Sequence, residues 1–325
     1  MNDAPAILST TALADALAAA EEFASYSLSD GTRDAYRRAF SLFRDRCDRL
    51  GVPSLPCSVE DLSAVIGAMA KEGRSAARLG VILAAVGMAH RLAEMPDPTT
   101  SQKVRLLIKG VRNIRGTASA RRQPLYALLR PDQTSSDLER VLAGIPDFTL
   151  VGRRDRALLL IGFAAALRRS ELCALTVHDV EPTERGIILT IRRSKGDQAA
   201  RGQMVTLPFG SSPHCPVGAL TAWTAAAHIT EGRLFRAIDR HGNLGETLSP
   251  GAVALILKRR LKFAGLDPSA FSAHSLRSGF LTSAADNGAN VWDLMSVSRH
   301  KDVRTLQSYV KRREGFEHYP GKGLL

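Results

Sequence analysis

Apolar positions along this chain recur mostly at intervals of three and four, the period of a helix with one buried face. Ser29 or Asp30 opens the first clear run, with Tyr36, Phe40, Phe43, Cys47 and Leu50 on one side. Arg33, Arg37, Arg38, Arg44, Arg46 and Arg49 take the other side. Ser58 with Asp61 predicts a capped start to a second helix through Leu62, Val65, Ile66 and Met69. A third spans about 75–92 and turns Leu79, Ile82, Leu83 and Val86 inward. Beyond Pro96 and Pro98, Thr100 is expected to cap a fourth, with Val104, Leu107, Ile108 and Val111 inward and basic residues outward. Residues 1–25 are alanine-rich and read as a leader, disordered or briefly helical. The stretch 26–115 is therefore expected to form a compact helical domain.

The segment GTASARRQ (116–123) is small, polar and basic, and a basic linker is expected over 116–128. Past it, helical patterns return at 136–142, 154–167, 215–229, 249–264, 275–287, 291–298 and 303–312. The period changes only near Gly186, where GIILTIRRSK and QMVTLPF are rich in β-branched residues and flank a polar turn. A mainly α fold with a small antiparallel β-sheet or hairpin in the second domain, 129–325, follows from these patterns.

Length and composition agree with that division. The 325 residues suit two domains of ordinary size, and no run of about 18 uninterrupted apolar residues offers a membrane span. No basic n-region precedes the alanine-rich start, so no secretory signal is read. Cys47, Cys57, Cys173 and Cys215 lie far apart, without disulfide density or zinc-ligand spacing, as in a cytoplasmic protein with reduced thiols.

Charge adds a partner class. Lysine plus arginine number 44 against 32 acidic residues, a net charge of +12, which points to a polyanion. Between Pro98 and Pro131 there is no acidic residue, yet Lys103, Arg105, Lys109, Arg112, Arg115, Arg121, Arg122 and Arg130 all fall there. Such a stretch suits a chain crossing a phosphate backbone, because each cation that neutralises a phosphate releases a counterion.

Four short segments of the second half concentrate basic and nucleophilic side chains: ALRRSELCAL with Arg168, RRSKGD with Lys195, AHSLRSGF with His274 and Arg277, and SRHKDVRTLQSYV with His300 and Tyr309. Singly, each has an ordinary explanation: an ion pair with Glu171, a solvated turn lysine, a braced helix start, an aromatic at a core edge. Jointly they answer one chemical problem. Cleaving a phosphodiester without a metal needs a nucleophile, cations for the non-bridging oxygens and an acid for the leaving oxygen. Two arginines suit the oxygens, a tyrosine can serve as the nucleophile, and a hairpin lysine can protonate the leaving group. Metal-dependent cleavage needs clustered carboxylates, which these segments scarcely supply.

The ordered boxes resemble the tyrosine recombinase (phage integrase) family. Arg168 stands before x-S-E-L, Lys195 follows a serine in a hairpin turn, and His274 and Arg277 form the H-x-L-R box, with Gly288 where that helix stops. His300 lies nine residues before Tyr309, and Ser298 and Arg299 replace the family's usual leucine and glycine. The resemblance covers 131–313 and, more loosely, the helical domain. It implies a site-specific DNA recombinase in which Tyr309 forms a 3′-phosphotyrosyl link. Arg168 and Arg277 would hold the phosphate, His274 would act as acid or base, Lys195 as leaving-group acid and His300 as a donor to a non-bridging oxygen.

No cofactor is implied. The implied partners are double-stranded DNA with a specific site, a homotetramer built from free monomers or dimers, and accessory DNA-bending proteins. The implied setting is a prokaryotic nucleoid, a phage or a mobile element. Two alternatives share part of this pattern: a type IB topoisomerase-like enzyme, and a DNA-binding regulator with an inactive recombinase fold. An integrase-type helical domain disfavours the first, and six filled catalytic positions disfavour the second. Tyr319, in EHYPGKG, is a rival nucleophile without the right spacing.

Overall fold

The computed structural model describes residues 29–115, 122–129, 133–192, 202–300 and 302–306. The chain divides into two compact units, Met1–Arg121 and Arg122–Leu325.

In the first unit the described residues form α1 (Asp30–Leu50), α2 (Val59–Lys71), α3 (Ala76–Leu92) and α4 (Gln102–Arg115), with a 3-10 turn at Pro98–Thr100. Ser29, Ser58 and Ser75 each accept a backbone N–H at the start of α1, α2 and α3, satisfying donors that a helix end leaves open. Thr100, expected to cap α4, lies instead within the 3-10 turn, whose cap is Asp97. Proline at the first position of that turn favours a short tight element over an immediate α start. Phe43, Cys47, Leu62, Val65, Ile66, Met69, Leu79, Ile82 and Val86 form the core. Burying each large aliphatic or aromatic side chain contributes roughly 1.5–3 kcal/mol. Leu50 departs from the expected stripe and is exposed, because α1 ends there at Gly51 in a left-handed C-cap. His90 is fully buried, its Nδ1 2.8 Å from the Val86 carbonyl, while its Nε2 accepts the Cys57 N–H at 3.0 Å.

The second unit carries α5 (Asp137–Ala143), α6 (Leu150–Ala164), α7 (Arg169–Ala174), α8 (Pro216–Ala226), α9 (Pro250–Phe263), α10 (His274–Asp286), α11 (Val291–Ser298) and α12 (Val303–Leu306). Its sheet has three antiparallel strands in sequence order: β1 (Val180–Thr183), β2 (Gly186–Ile191) and β3 (Gln203–Pro208). The register pairs Val180 with Leu189, Leu189 with Val205 and Ile187 with Leu207. Ile187, Leu189, Ile191, Val205 and Leu207 all face the core, which fixes that register against a one-residue slip. The core continues through the apolar face of α6 and through Trp223, whose indole N–H donates to the Leu234 carbonyl at 2.8 Å. Leu281, Leu294 and Leu306 join α10, α11 and α12 in a smaller cluster.

The expected linker is shorter than 116–128. Residues 122–129 pack on the second unit: Gln123 N–H donates to the Ala270 carbonyl at 2.7 Å, Leu125 N–H to that of Ser275 at 2.9 Å, and Leu125 is fully buried. Gly279 makes this approach possible, since a Cβ there would stand 2.0 Å from the Leu125 carbonyl oxygen. Among the described residues no helix is long and apolar enough to cross a membrane.

Candidate active site

Arg168 is the N-cap of α7, four residues beyond the end of α6 at Ala164. The turn between them passes through Ala166, a non-glycine residue at φ 47°. Glu171, one turn into α7, accepts the Arg168 backbone N–H at 2.9 Å through Oε2 and the Arg168 guanidinium at 2.5 Å through Oε1. Sequence spacing x-S-E thus becomes a device that fixes the arginine at the helix start. Burial would raise the Glu171 carboxyl, but the Arg168 backbone hydrogen bond and the charges of Arg299 and Arg168 hold it below the usual carboxylate range.

Arg277 sits one turn into α10 and is completely buried. Its Nη1 donates to the Ala166 carbonyl at 2.6 Å, and its Nη2 donates to the Ser298 carbonyl. The guanidinium therefore ties the α6–α7 turn to the end of α11. His274 begins α10 and reaches solvent, yet desolvation, followed by the charges of Arg277 and Arg168, lowers its pKa. His300 lies past the end of α11, with Nε2 3.2 Å from Arg277 Nη2 and Nδ1 2.8 Å from Ser298 Oγ. Burial, then Arg277 and Arg168, push its pKa down to about 4. Two histidines and two arginines from three separate elements thus influence one another in a single place.

The structure adds residues that the sequence patterns did not assign. Arg299 is the C-cap of α11 at φ 59°, ψ 35°, the left-handed conformation that glycine adopts most readily. A residue with a Cβ carries roughly 1–2 kcal/mol of backbone cost there. Its guanidinium is buried and donates to Glu171 Oε2 at 2.9 Å, to Val297 at 2.7 Å, and to the Ala165 and Ala166 carbonyls at 3.2 and 3.4 Å. The one available signal was the departure at Ser298–Arg299 from the family pattern. Glu171 was visible only as an ordinary ion-pair partner. Trp292 and Met204, both strongly exposed, flank His300 and Arg299 around a cleft of about 480 Å³.

Lys195 and Tyr309, expected as acid and nucleophile, lie outside the described residues, as does Arg121. Lys103, Arg105, Lys109 and Arg112 are exposed along α4, with Lys103 3.3 Å from Glu60. Arg115 closes α4, and only its backbone is described. Arg122 donates to the Ser269 carbonyl within the second unit. Among the described residues no group of three or more His, Cys, Asp or Glu side chains is placed to hold a metal ion.

Residues 134–315 match the model of the phage integrase family. An integrase/recombinase XerD homolog of Selenomonas ruminantium is 33% identical over 90% of this chain and 84% of that protein. A tyrosine recombinase of Synechococcus elongatus is also 33% identical, over 57% of this chain and 55% of its own. Among solved structures, the Tn1549 transposon integrase in complex with transposon right end DNA aligns with a TM-score of 0.62 at 16% identity, over 92% of this chain and 95% of that one. A lambda integrase dimer bound to a COC′ core site gives 0.60 at 17% identity, over 90% and 75%. With that match over more than half its length and that identity to a curated relative, the chain belongs to the phage integrase family of tyrosine recombinases.

Proposed function

We propose that this chain, a site-specific DNA recombinase by family, exchanges strands through a 3′-phosphotyrosyl intermediate formed by Tyr309. The Tyr309 oxygen attacks the scissile phosphorus, a phosphorus–tyrosyl oxygen bond forms, and the bond to the 5′ oxygen breaks. His274 accepts the tyrosyl proton, which its lowered pKa permits at neutral pH. Lys195 delivers a proton to the departing 5′ oxygen. A 5′-hydroxyl from another duplex then reverses the sequence, and the retained bond energy makes a nucleotide cofactor unnecessary.

One observation carries this reading: Arg277 holds the turn that leads into Arg168 through the Ala166 carbonyl and lies 3.2 Å from His300 Nε2, and both arginines lower the pKa of His274 and His300. Two guanidinium groups converging on one place suit the extra charge on the non-bridging oxygens of a pentacoordinate phosphorus. His300 completes the phosphate pocket as a donor once its proton resides on Nε2. The exposed cations of α4, with Arg115, Arg121 and Arg122 after them, contribute sequence-independent phosphate contacts. Synapsis assembles four copies on two DNA sites, with DNA-bending proteins as accessory factors, in the nucleoid.

The test is covalent trapping. A duplex selected by the wild-type chain from random sequence is nicked near the cleavage position, so that strand loss makes attack irreversible. Wild type should accumulate a protein–DNA adduct, Tyr309→Phe should abolish it, and Tyr319→Phe should not. Absence of any wild-type adduct sinks the reading. Relaxation of plasmids regardless of sequence turns it toward a topoisomerase.

A further inference from the structure

We propose that Arg299 is a positioning residue for phosphate binding, holding one carboxylate oxygen of Glu171 while the Arg168 guanidinium takes the other, and so setting the placement of that guanidinium. This inference rests on the recombinase reading and concerns a residue at which the chain departs from its family's usual glycine.

The Arg299 side chain is buried to 2% exposure and Glu171 to 1%, so the pair is shielded from solvent. Arg168, by contrast, keeps 26% of its side chain exposed. Glu171 therefore has an inner and an outer partner. Its Oε2 receives Arg299 Nη2 at 2.9 Å together with the Arg168 backbone N–H, while Oε1 receives Arg168 Nη1 at 2.5 Å. Rotation of the carboxylate would break contacts on both sides at once.

A second set of contacts ties the clamp to Arg277. Arg299 donates to the Ala165 and Ala166 carbonyls, and Ala166 also receives Arg277 Nη1. The α6–α7 turn is thus held by both Arg277 and Arg299. Glycine at 299 would accept the left-handed backbone without strain and would supply none of these donors. The local charge changes too. Arg168, Arg277 and Arg299 against Glu171 leave two positive charges with the histidines neutral, matching a phosphate whose charge approaches two in the transition state.

The experiment uses the full chain and the nicked duplex selected by wild type, with variants Arg299→Gly, Arg299→Met, Arg299→Lys and Glu171→Gln. Arg299→Gly and Arg299→Met should form adduct about 100-fold more slowly, with duplex affinity within about threefold of wild type. Arg299→Lys, which keeps a cation within reach of Glu171, should recover at least tenfold over Arg299→Met. The acid limb of the pH–rate profile should move to higher pH in Arg299→Gly, because Glu171 loses a charge that holds its proton off. Adding Arg299→Gly to Glu171→Gln should cost little beyond Glu171→Gln alone.

Equal rates and profiles in wild type and Arg299→Gly overturn the proposal while leaving the recombinase reading intact. Affinity falling in parallel with rate, or additive losses in the double variant, overturn it in favour of a structural role. If Arg299→Gly fails to fold, the Lys and Met variants decide by the same criteria. A wild-type chain that traps no adduct removes both the reading and this inference.

Discussion

Arg277 Nη2 stands 3.2 Å from Nε2 of His300, so the imidazole accepts there and directs its Nδ1 proton to Ser298 Oγ, 2.8 Å away. A cation on one nitrogen and a hydroxyl on the other define a neutral ring with one tautomer. Phosphate binding would draw Arg277 toward oxygen and release Nε2 for a different hydrogen bond.

His300 should therefore stay neutral well below neutrality, with its folded pKa near 4 against about 6.5 in the unfolded chain. The unfolded chain binds the extra proton between those values, so stability rises with pH there. The contribution is complete above about pH 6.5 and disappears as pH falls toward 4. Urea midpoints should show wild type losing more stability than His300→Gln across that window. Parallel curves would count against the assigned tautomer. His274, shifted in the same direction, keeps part of the pH dependence in both proteins.

Gly279→Ala should destabilise the second unit by about 3 kcal/mol. The added methyl meets the Leu125 carbonyl carbon and oxygen at 2.8 and 2.0 Å, and backbone cannot rotate away as a side chain can. Because Gly279 lies two residues beyond Arg277 on α10, adduct formation should fall as well. Chemical denaturation followed by tryptophan fluorescence reads the first effect, since Trp223 and Trp292 both lie in the second unit. A midpoint unchanged from wild type contradicts the packing described.

His90→Ala should cost the first unit about 1–3 kcal/mol through the buried Cys57 N–H it leaves unpartnered. Asparagine at 90 is too short to span both contacts and should rescue little. Calorimetry of the intact chain should show one of two transitions move, that of the first unit, while the other stays. Movement of both together would mean that the units unfold as one.

Salt dependence tests the cations of α4. Replacing Arg105, Lys109 and Arg112 by alanine should flatten the plot of log affinity against log salt by about 0.9 for every phosphate lost. Sequence preference should hardly change, because such contacts position rather than specify. Lys103, 3.3 Å from Glu60, should contribute less than its neighbours. A triple variant with the wild-type slope places the phosphates elsewhere.

Much of this fold was legible because Leu62, Val65, Ile66 and Met69, or Ile187, Leu189 and Ile191, repeat a period that burial imposes. What escaped lacked a period. Strand β1 has four residues, includes Pro182 and buries only part of Val180, so it makes no pattern of its own. Leu125 and Tyr126 follow a run of small and basic residues and read as linker, yet their burial comes from α10, about 150 positions later. The four boxes announced Arg168, His274, Arg277 and His300. Arg299 could not be assigned from its neighbours, since its reach to Glu171 depends on a left-handed backbone that no spacing encodes.

The pairing of Leu125 with Ser275 carries a practical consequence for dividing this protein. A catalytic fragment begun at residue 129, where composition suggests a natural start, would be missing one wall of its own core. Gly279 would face an open groove, and the Ser275 carbonyl would lose its donor directly between His274 and Arg277. The smallest piece able to keep α10 in register starts no later than Gln123. By sequence those residues look like tether, but by contact they belong to the scaffold that holds α10.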